Sequence, residues 1–264
     1  MQENIESLNL RIETLSNRLS SEKDPAQKEN LEISLMLLID RLERATKREK
    51  NRKRVKDIRQ QRVGRVTKLG TFEVTGDELR VTDPCYSKDT TGCAGTLENP
   101  AKGTWHAYIQ YQDEGPDWGV RNSTIFAVHE SCSQKLKFEH GWLYQNHMSS
   151  LSGIDVGVDS GTAGIFDDSK YPDNPHEERE DDDQGFYYRC GVQTIGDGIS
   201  SRFNDDGIDT LGAGVVAEGC VSRSGDGDGS YRCFYESNDN GEVDAVEISF
   251  YYREDEMEDE EDFE

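Results

Sequence analysis

The sequence predicts an α+β protein: an N-terminal α-helical hairpin or coiled coil, followed by a mainly antiparallel β domain that is sandwich or barrel-like. Three observations predict it. Before Ala45, apolar residues recur at alternating spacings of three and four, the seam of a packed helix. From Leu69 onward they alternate in short runs separated by Gly, Asn and Asp, the grammar of strands and turns. The charge divides at the same place. Residues 1–68 carry 17 Lys and Arg against 11 Asp and Glu, out of 30 and 54 in the whole chain, which leaves 13 against 43 for the rest.

The first helix carries Ile5, Leu8, Ile12, Leu15 and Leu19 on one face. Ser20–Lys23 breaks the pattern. Asp24 then reads as an N-cap, with Pro25 at the first helical position and Gln27 in capping-box register. The second helix repeats the seam with Leu31, Leu35, Leu38, Leu42 and Ala45, and adds Ile33 and Leu37 on another side. One helical partner covers one stripe. Ile33 and Leu37 are therefore expected to meet another copy of the chain or the β domain. A hairpin packed only within its own chain is the alternative. Residues 1–46 are assigned as a hairpin that serves oligomerisation.

Residues 47–68 read as a basic linker or helix. Arg48, Arg52, Lys53, Arg54 and Arg59 lie in a stretch, residues 44–68, opposed only by Glu49 and Asp57. Such a row can neutralise phosphates, so this stretch is a candidate nucleic-acid contact. An acidic protein surface would suit it as well. No aromatic residue is interleaved, so base stacking is not offered.

Residues 69–253 form the acidic β-rich domain. Strands are expected at Thr71–Val74 and Glu78–Thr82, as a hairpin around Thr75-Gly76-Asp77, and at Thr104–Tyr111 and Ser123–His129. Further strands are expected at Phe186–Ile195, Gly212–Arg223, Tyr231–Glu236 and Val243–Tyr252. Asn238-Asp239-Asn240-Gly241 is the strongest hairpin signal. Residues 173–184 read as an acidic loop. Residues 254–264 read as a disordered acidic tail, because nine carboxylates among eleven residues leave nothing to pack.

Hydrophobic residues make up 33% of the chain, so part of it lies outside a packed core. No apolar leader and no run of membrane-span length occurs, which predicts a protein neither secreted by a signal peptide nor bound in a membrane. The 6 cysteines form no CxxC pair; buried free thiols are expected. The acidic body repels nucleic acid and anionic membranes and attracts cations or basic partners.

Four motifs stand out: Val81-Thr82-Asp83-Pro84-Cys85-Tyr86, Gly103-Thr104-Trp105-His106-Ala107, Val158-Asp159-Ser160-Gly161-Thr162-Ala163-Gly164-Ile165-Phe166-Asp167, and Gly227-Asp228-Gly229-Ser230-Tyr231. On these, residues 70–252 resemble an uncharacterised family of bacterial and phage proteins marked by VTDPCY, GTWHA, VDSGxAGIFD and GDGSY. The resemblance implies a bacterial or phage setting, cytoplasmic or virion-associated. It implies no activity.

Three chemistries deserve weighing. Val158–Ala163 is similar to the aspartic-protease signature, in which two carboxylates share a proton. One copy per chain makes Asp159 half of a pair that only a homodimer supplies; a tight turn, Asp159-Ser160-Gly161, whose Asp and Ser satisfy backbone amides is the alternative. Asp226 and Asp228, on a Gly-rich loop, offer oxygen ligands of the kind calcium takes, with Asp205, Asp206 and Asp239 as completing groups; an ordinary Gly/Asp turn is the alternative. Cys85 with His106 as base would make a thiol nucleophile, against plain packing. With no complete catalytic set, the leading expectation is a non-enzymatic assembly or interaction protein that binds itself and other proteins. A dimeric hydrolase using Asp159 and an acidic inhibitor that mimics nucleic acid are the alternatives.

Overall fold

A computed structural model describes residues 4–132, 153–177, 185–195 and 212–251. The chain forms two compact units, Met1–Asp57 and Ile58–Glu264. The fold class is the expected α+β: N-terminal helices, then a sandwich of two antiparallel sheets.

In the first unit, α1 (Ile5–Ser21) is capped by Asn4, whose Oδ1 accepts from Ser7 N at 2.7 Å. Helix α2 (Pro25–Arg62) starts as predicted: Asp24 Oδ1 accepts from Ala26 N at 2.9 Å, ahead of Pro25. The three residues between the helices make them hairpin-like. In such a hairpin, residues equally far from the turn face one another. Leu8 stands fourteen residues before Glu22 and Leu38 fourteen after Asp24; Leu15 and Leu31 each stand seven away. Among the described side chains of the pair, Leu8, Leu31 and Leu38 are the buried ones, so the predicted seam is the packed one. Helix α2 does not stop at residue 46, the expected end of the hairpin. It continues through the cationic stretch to Arg62, and the first strand opens four residues later.

Among the described residues the sandwich holds eleven strands: β1 (Val66–Val74), β2 (Glu78–Thr82), β3 (Gly95–Glu98), β4 (Gly103–Asp113), β5 (Val120–His129), β6 (Ile154–Val158), β7 (Thr162–Asp167), β8 (Ala213–Val216), β9 (Gly219–Arg223), β10 (Gly229–Ser237) and β11 (Val243–Ser249). The larger sheet runs β1-β4-β5-β11-β10-β6 and the smaller β3-β2-β7-β9-β8. The main core lies between them, around Trp105, Ile109, Tyr111, Ile125, Ile165 and Ile248. A short turn of helix, α3 (Gly115–Trp118), joins β4 to β5.

Gly212–Arg223, expected as one strand, is the two paired strands β8 and β9, and two further expectations need correcting. The run Phe186–Ile195 is a helix, α4, not a strand. Its aromatic and β-branched content favours a strand locally. Burial of Phe186, Cys190 and Thr194, spaced four apart, selects a helix instead. Phe186 and Cys190 cover Phe166, Val216 and Val221 on the smaller sheet, together with Tyr171. Second, β1 and β2 are not a hairpin. β1 pairs with β4 in one sheet and β2 with β3 and β7 in the other, so Thr75-Gly76-Asp77 is a crossing between layers. The hairpin predicted at Asn238–Gly241 does form, joining β10 to β11. Gly241 sits there at φ 76°, and Asn238 Oδ1 accepts from Asn240 N at 2.9 Å. No helix among the described residues is long and apolar enough to cross a membrane.

Candidate functional site

Three of the four motifs converge at one end of the smaller sheet. Asp83 directly follows β2, and its carboxylate is fully buried. Oδ1 accepts from Cys85 N at 2.8 Å and from Ser160 Oγ at 2.7 Å. Oδ2 accepts from Asp159 N at 2.9 Å and Ser160 N at 2.6 Å. The turn from β6 to β7 is therefore held from outside. The amides of Asp159 and Ser160 are satisfied by Asp83. Gly161 sits in the left-handed region, φ 68°, which favours glycine. Its carbonyl accepts from Ser224 N at 3.1 Å, beside the Gly227–Tyr231 motif. Tyr231 closes that last turn by donating to Gly227 O at 2.8 Å and Ser224 O at 3.0 Å.

The chemistry here is that of protonated, bonded groups. Burial pushes the Cys85 thiol up, and the hydrogen bond to Asp83 and the charges of Asp83 and Asp159 push it further, to about 12. A group so poised stays a thiol at neutral pH. Burial likewise pushes the Tyr86 phenol up, aided by its hydrogen bond to the exposed Asp159 carboxylate. Tyr171 donates to Tyr86 O at 2.7 Å and stands in an aromatic cluster with Phe166 and Phe186, with centroids 5.4 and 5.0 Å away. His176 Nε2 lies 3.0 Å from Cys85 O, and its ring meets Tyr187 at 4.6 Å.

A cavity of about 160 Å³ opens beside this network, between α4 and the turn, lined by Ser160, Thr162, Tyr187, Tyr188, Cys190 and Thr194. Its wall is already internally bonded at several points. Ser160 Oγ and Thr162 Oγ1 are 2.6 Å apart, Tyr187 is hydrogen-bonded to Ser160, and Thr194 Oγ1 donates to Cys190 O at 3.0 Å. Sequence reasoning missed α4 and so missed this cavity. The four-residue recurrence of Phe186, Cys190 and Thr194 was the available signal.

A further motif aspartate, Asp167, ends β7 and clamps the crossing from β1 to β2. Its carboxylate is fully buried. It accepts from Thr75 N at 2.8 Å, Thr75 Oγ1 at 3.0 Å, Gly76 N at 3.1 Å and Ser169 Oγ at 2.7 Å. Burial alone would raise its pKa. The bonds from Ser169, Thr75 and Gly76 outweigh burial and bring it down to about 2. A Cβ on Gly76 would lie 2.3 Å from Asp167 Oδ1, so the clamp requires glycine there. The two clamps are reciprocal. β2 and β7 are antiparallel neighbours, and the aspartate at or just past the end of each one holds the turn that feeds the other.

The remaining candidates lie elsewhere. Trp105 is a core side chain whose Nε1 donates to Ala101 O at 2.8 Å, and it stacks on Phe72. His106 sits in the larger sheet; burial and Lys68 lower its pKa, with Glu130 opposing. It is not brought to Cys85, whose charged neighbours are Asp83 and Asp159. Asp226 pairs with Arg121 Nη1 at 2.8 Å. Asp228 lies near Gly161, and Asp239 in the β10–β11 turn. Asp205 and Asp206 fall outside the described residues. Among the described residues no three His, Cys, Asp or Glu side chains converge as metal ligands. On α2, Ile33 and Leu37 are exposed, as are Arg48 and Lys53. Arg52, Arg54 and Arg59 belong to the same helix.

The fold and site define an α+β protein: N-terminal helices and an antiparallel sandwich with clamped crossings. Compared with known proteins, the chain matches no family model, no curated protein and no solved structure.

Proposed function

We propose that the protein is a non-enzymatic assembly or interaction protein that associates with itself through α2. The observation that carries the reading is a stripe of large apolar side chains facing solvent: Ile33 at 49%, Met36 at 64% and Leu37 at 56% exposure. They lie on a helix whose other side buries Leu31 and Leu38. Their spacings of three and four place them on one face, and a contiguous apolar face of this kind is the mark of a protein contact. A second copy suits it, because the surface is a coiled-coil seam without its helix. The motif aspartates support a structural role, since Asp83 and Asp167 spend their acceptor capacity on turn amides and hydroxyls. A bacterial or phage structural or accessory setting belongs to the same proposal.

Light scattering on the full chain tests it. The protein elutes with at least the mass of a dimer at micromolar concentration, and Ile33→Glu with Leu37→Glu reduces it to a monomer with unchanged circular dichroism. A monomeric wild-type chain would overturn the reading.

A further inference from the structure

The cavity beside the β6–β7 turn is the right size for one small ring. Its volume is about 160 Å³, and a cavity of about 150 Å³ is enough to hold benzene. Tyr187 and Tyr188 give it aromatic walls, and none of the described residues lining it carries a charge. Such walls favour an aromatic guest in offset or edge-on contact. They are also fixed before any ligand arrives. Phe186 and Cys190 seat α4 on the smaller sheet. The Tyr187 ring lies 4.6 Å from that of His176, whose Nε2 is 3.0 Å from Cys85 O. A site held in place in this way loses little freedom on binding.

The polarity of the wall follows from where its protons go. A hydroxyl has one proton to give and keeps lone pairs with which to accept. Ser160 gives its proton to Asp83 Oδ1 at 2.7 Å, and the same carboxylate takes amide bonds from Cys85, Asp159 and Ser160. The Ser160 oxygen is left as an acceptor. Thr162 Oγ1, 2.6 Å away, is therefore the donor in that contact. The Tyr187 phenol, bonded to the same oxygen, donates as well. Thr194 Oγ1 gives its proton to Cys190 O at 3.0 Å. Thr162, Tyr187 and Thr194 have thus turned their protons into the wall and keep lone pairs for the cavity. Asp83, one hydroxyl removed from the cavity, sets this direction for the first two.

We propose that this cavity binds a neutral single-ring aromatic molecule that carries an O–H or N–H donor, with phenol as the simplest member of the class. The ring meets Tyr187 and Tyr188, and the donor reaches Thr162 Oγ1 or the Tyr187 oxygen. The inference does not depend on self-association through α2. Phenol is titrated into the ¹⁵N-labelled full chain and followed by amide shifts. Saturable shifts at Thr162, Gly191 and Thr194 are expected, with a Kd on the order of 0.1–1 mM for a ligand of so few atoms. Benzonitrile is the control ligand: about as apolar, but with an acceptor where phenol has its donor. It sets acceptor against acceptor and is expected to bind about tenfold more weakly. Thr162→Val keeps the shape of the wall and removes one acceptor, so it should weaken phenol about fivefold and leave benzonitrile unchanged. Gly191→Leu fills the cavity from a helical position where leucine is the better helix former, and should abolish the shifts with both ligands. No saturable shift up to about 10 mM phenol, equal affinity for phenol and benzonitrile, or undiminished phenol binding by Gly191→Leu overturns the proposal.

Discussion

Asp83 and Ser160 are joined twice: Asp83 Oδ2 accepts from the Ser160 amide at 2.6 Å and Oδ1 from its hydroxyl at 2.7 Å. The pair ties the end of β2 to the turn entering β7, so a side chain on one strand fixes the backbone of another. Asp83→Ala would leave the amides of Cys85, Asp159 and Ser160 without their acceptor. Each buried unpaired donor costs about 1–3 kcal/mol, and the variant is expected to lose about 3 kcal/mol or more. Ser160→Ala removes one bond and keeps the amide contact, and should lose about 1 kcal/mol. Urea titrations of the three proteins measure both; equal midpoints for wild type and Asp83→Ala would refute the clamp.

The partner clamp predicts a pH dependence. The pKa of Asp167 is lowered from an ordinary carboxyl value of 3.8 to about 2. Its ionised form is the one the fold prefers, so its contribution is fully present above pH ~4 and is lost as pH falls toward 2. Stability measured between pH 5 and pH 2 should decline more steeply in the wild type than in Asp167→Asn, which has no proton to take up there. Parallel curves would show that Asp167 is not coupled to folding. Gly76→Ala, which drives a Cβ to 2.3 Å from Asp167 Oδ1, should destabilise the same crossing by about 2 kcal/mol through overpacking.

Adjacent leucines on α2 should behave oppositely. Leu38 is 5% exposed and Leu37 56%. Leu38→Ala empties a buried site and should cost the hairpin about 2–4 kcal/mol, within the range for such truncations. Leu37→Ala leaves the hairpin's own packing intact, so it should weaken self-association and lower melting only by what the assembly contributes. Thermal circular dichroism beside sedimentation separates the two; matched effects on melting would contradict the assignment of faces.

The thiols give a third kind of readout. With its pKa raised to about 12, Cys85 should alkylate slowly at pH 8 even though it is only partly buried. Cys132, Cys190, Cys220 and Cys233 are buried and should react only on unfolding. Peptide mapping after brief iodoacetamide treatment reports each site. Rapid labelling at Cys85 in the folded protein would revive it as a nucleophile.

Much of this was readable from residue order, and what was not has a common cause. The seam from Leu8 to Leu38 and the turn at Asn238–Gly241 are local patterns, and local patterns predict local structure. The run Phe186–Ile195 misled because its composition favours a strand, while its burial is decided by Phe166 and Val221, far away in sequence. The crossing at Thr75–Asp77 looked like a hairpin because the turn chemistry is the same whether the two strands pair with each other or part company. The motif aspartates could be singled out, but not their partners. Nothing near Asp83 in the chain announces Ser160.

The reciprocal clamps set the order in which the molecule can be made. Asp83 meets Ser160 across 77 positions, and Thr75 meets Asp167 across 92. Neither bond can reward the chain until β2 and β7 lie side by side, and that alignment forms both at once. Such a protein has high contact order. It must close long loops before it is compensated, and folding in milliseconds to seconds is the scale for sandwiches of this kind. While one strand waits for the other, both layer crossings are open together. Wild type and Asp83→Ala should therefore differ in how slowly the sheets come apart as well as in how stable they are.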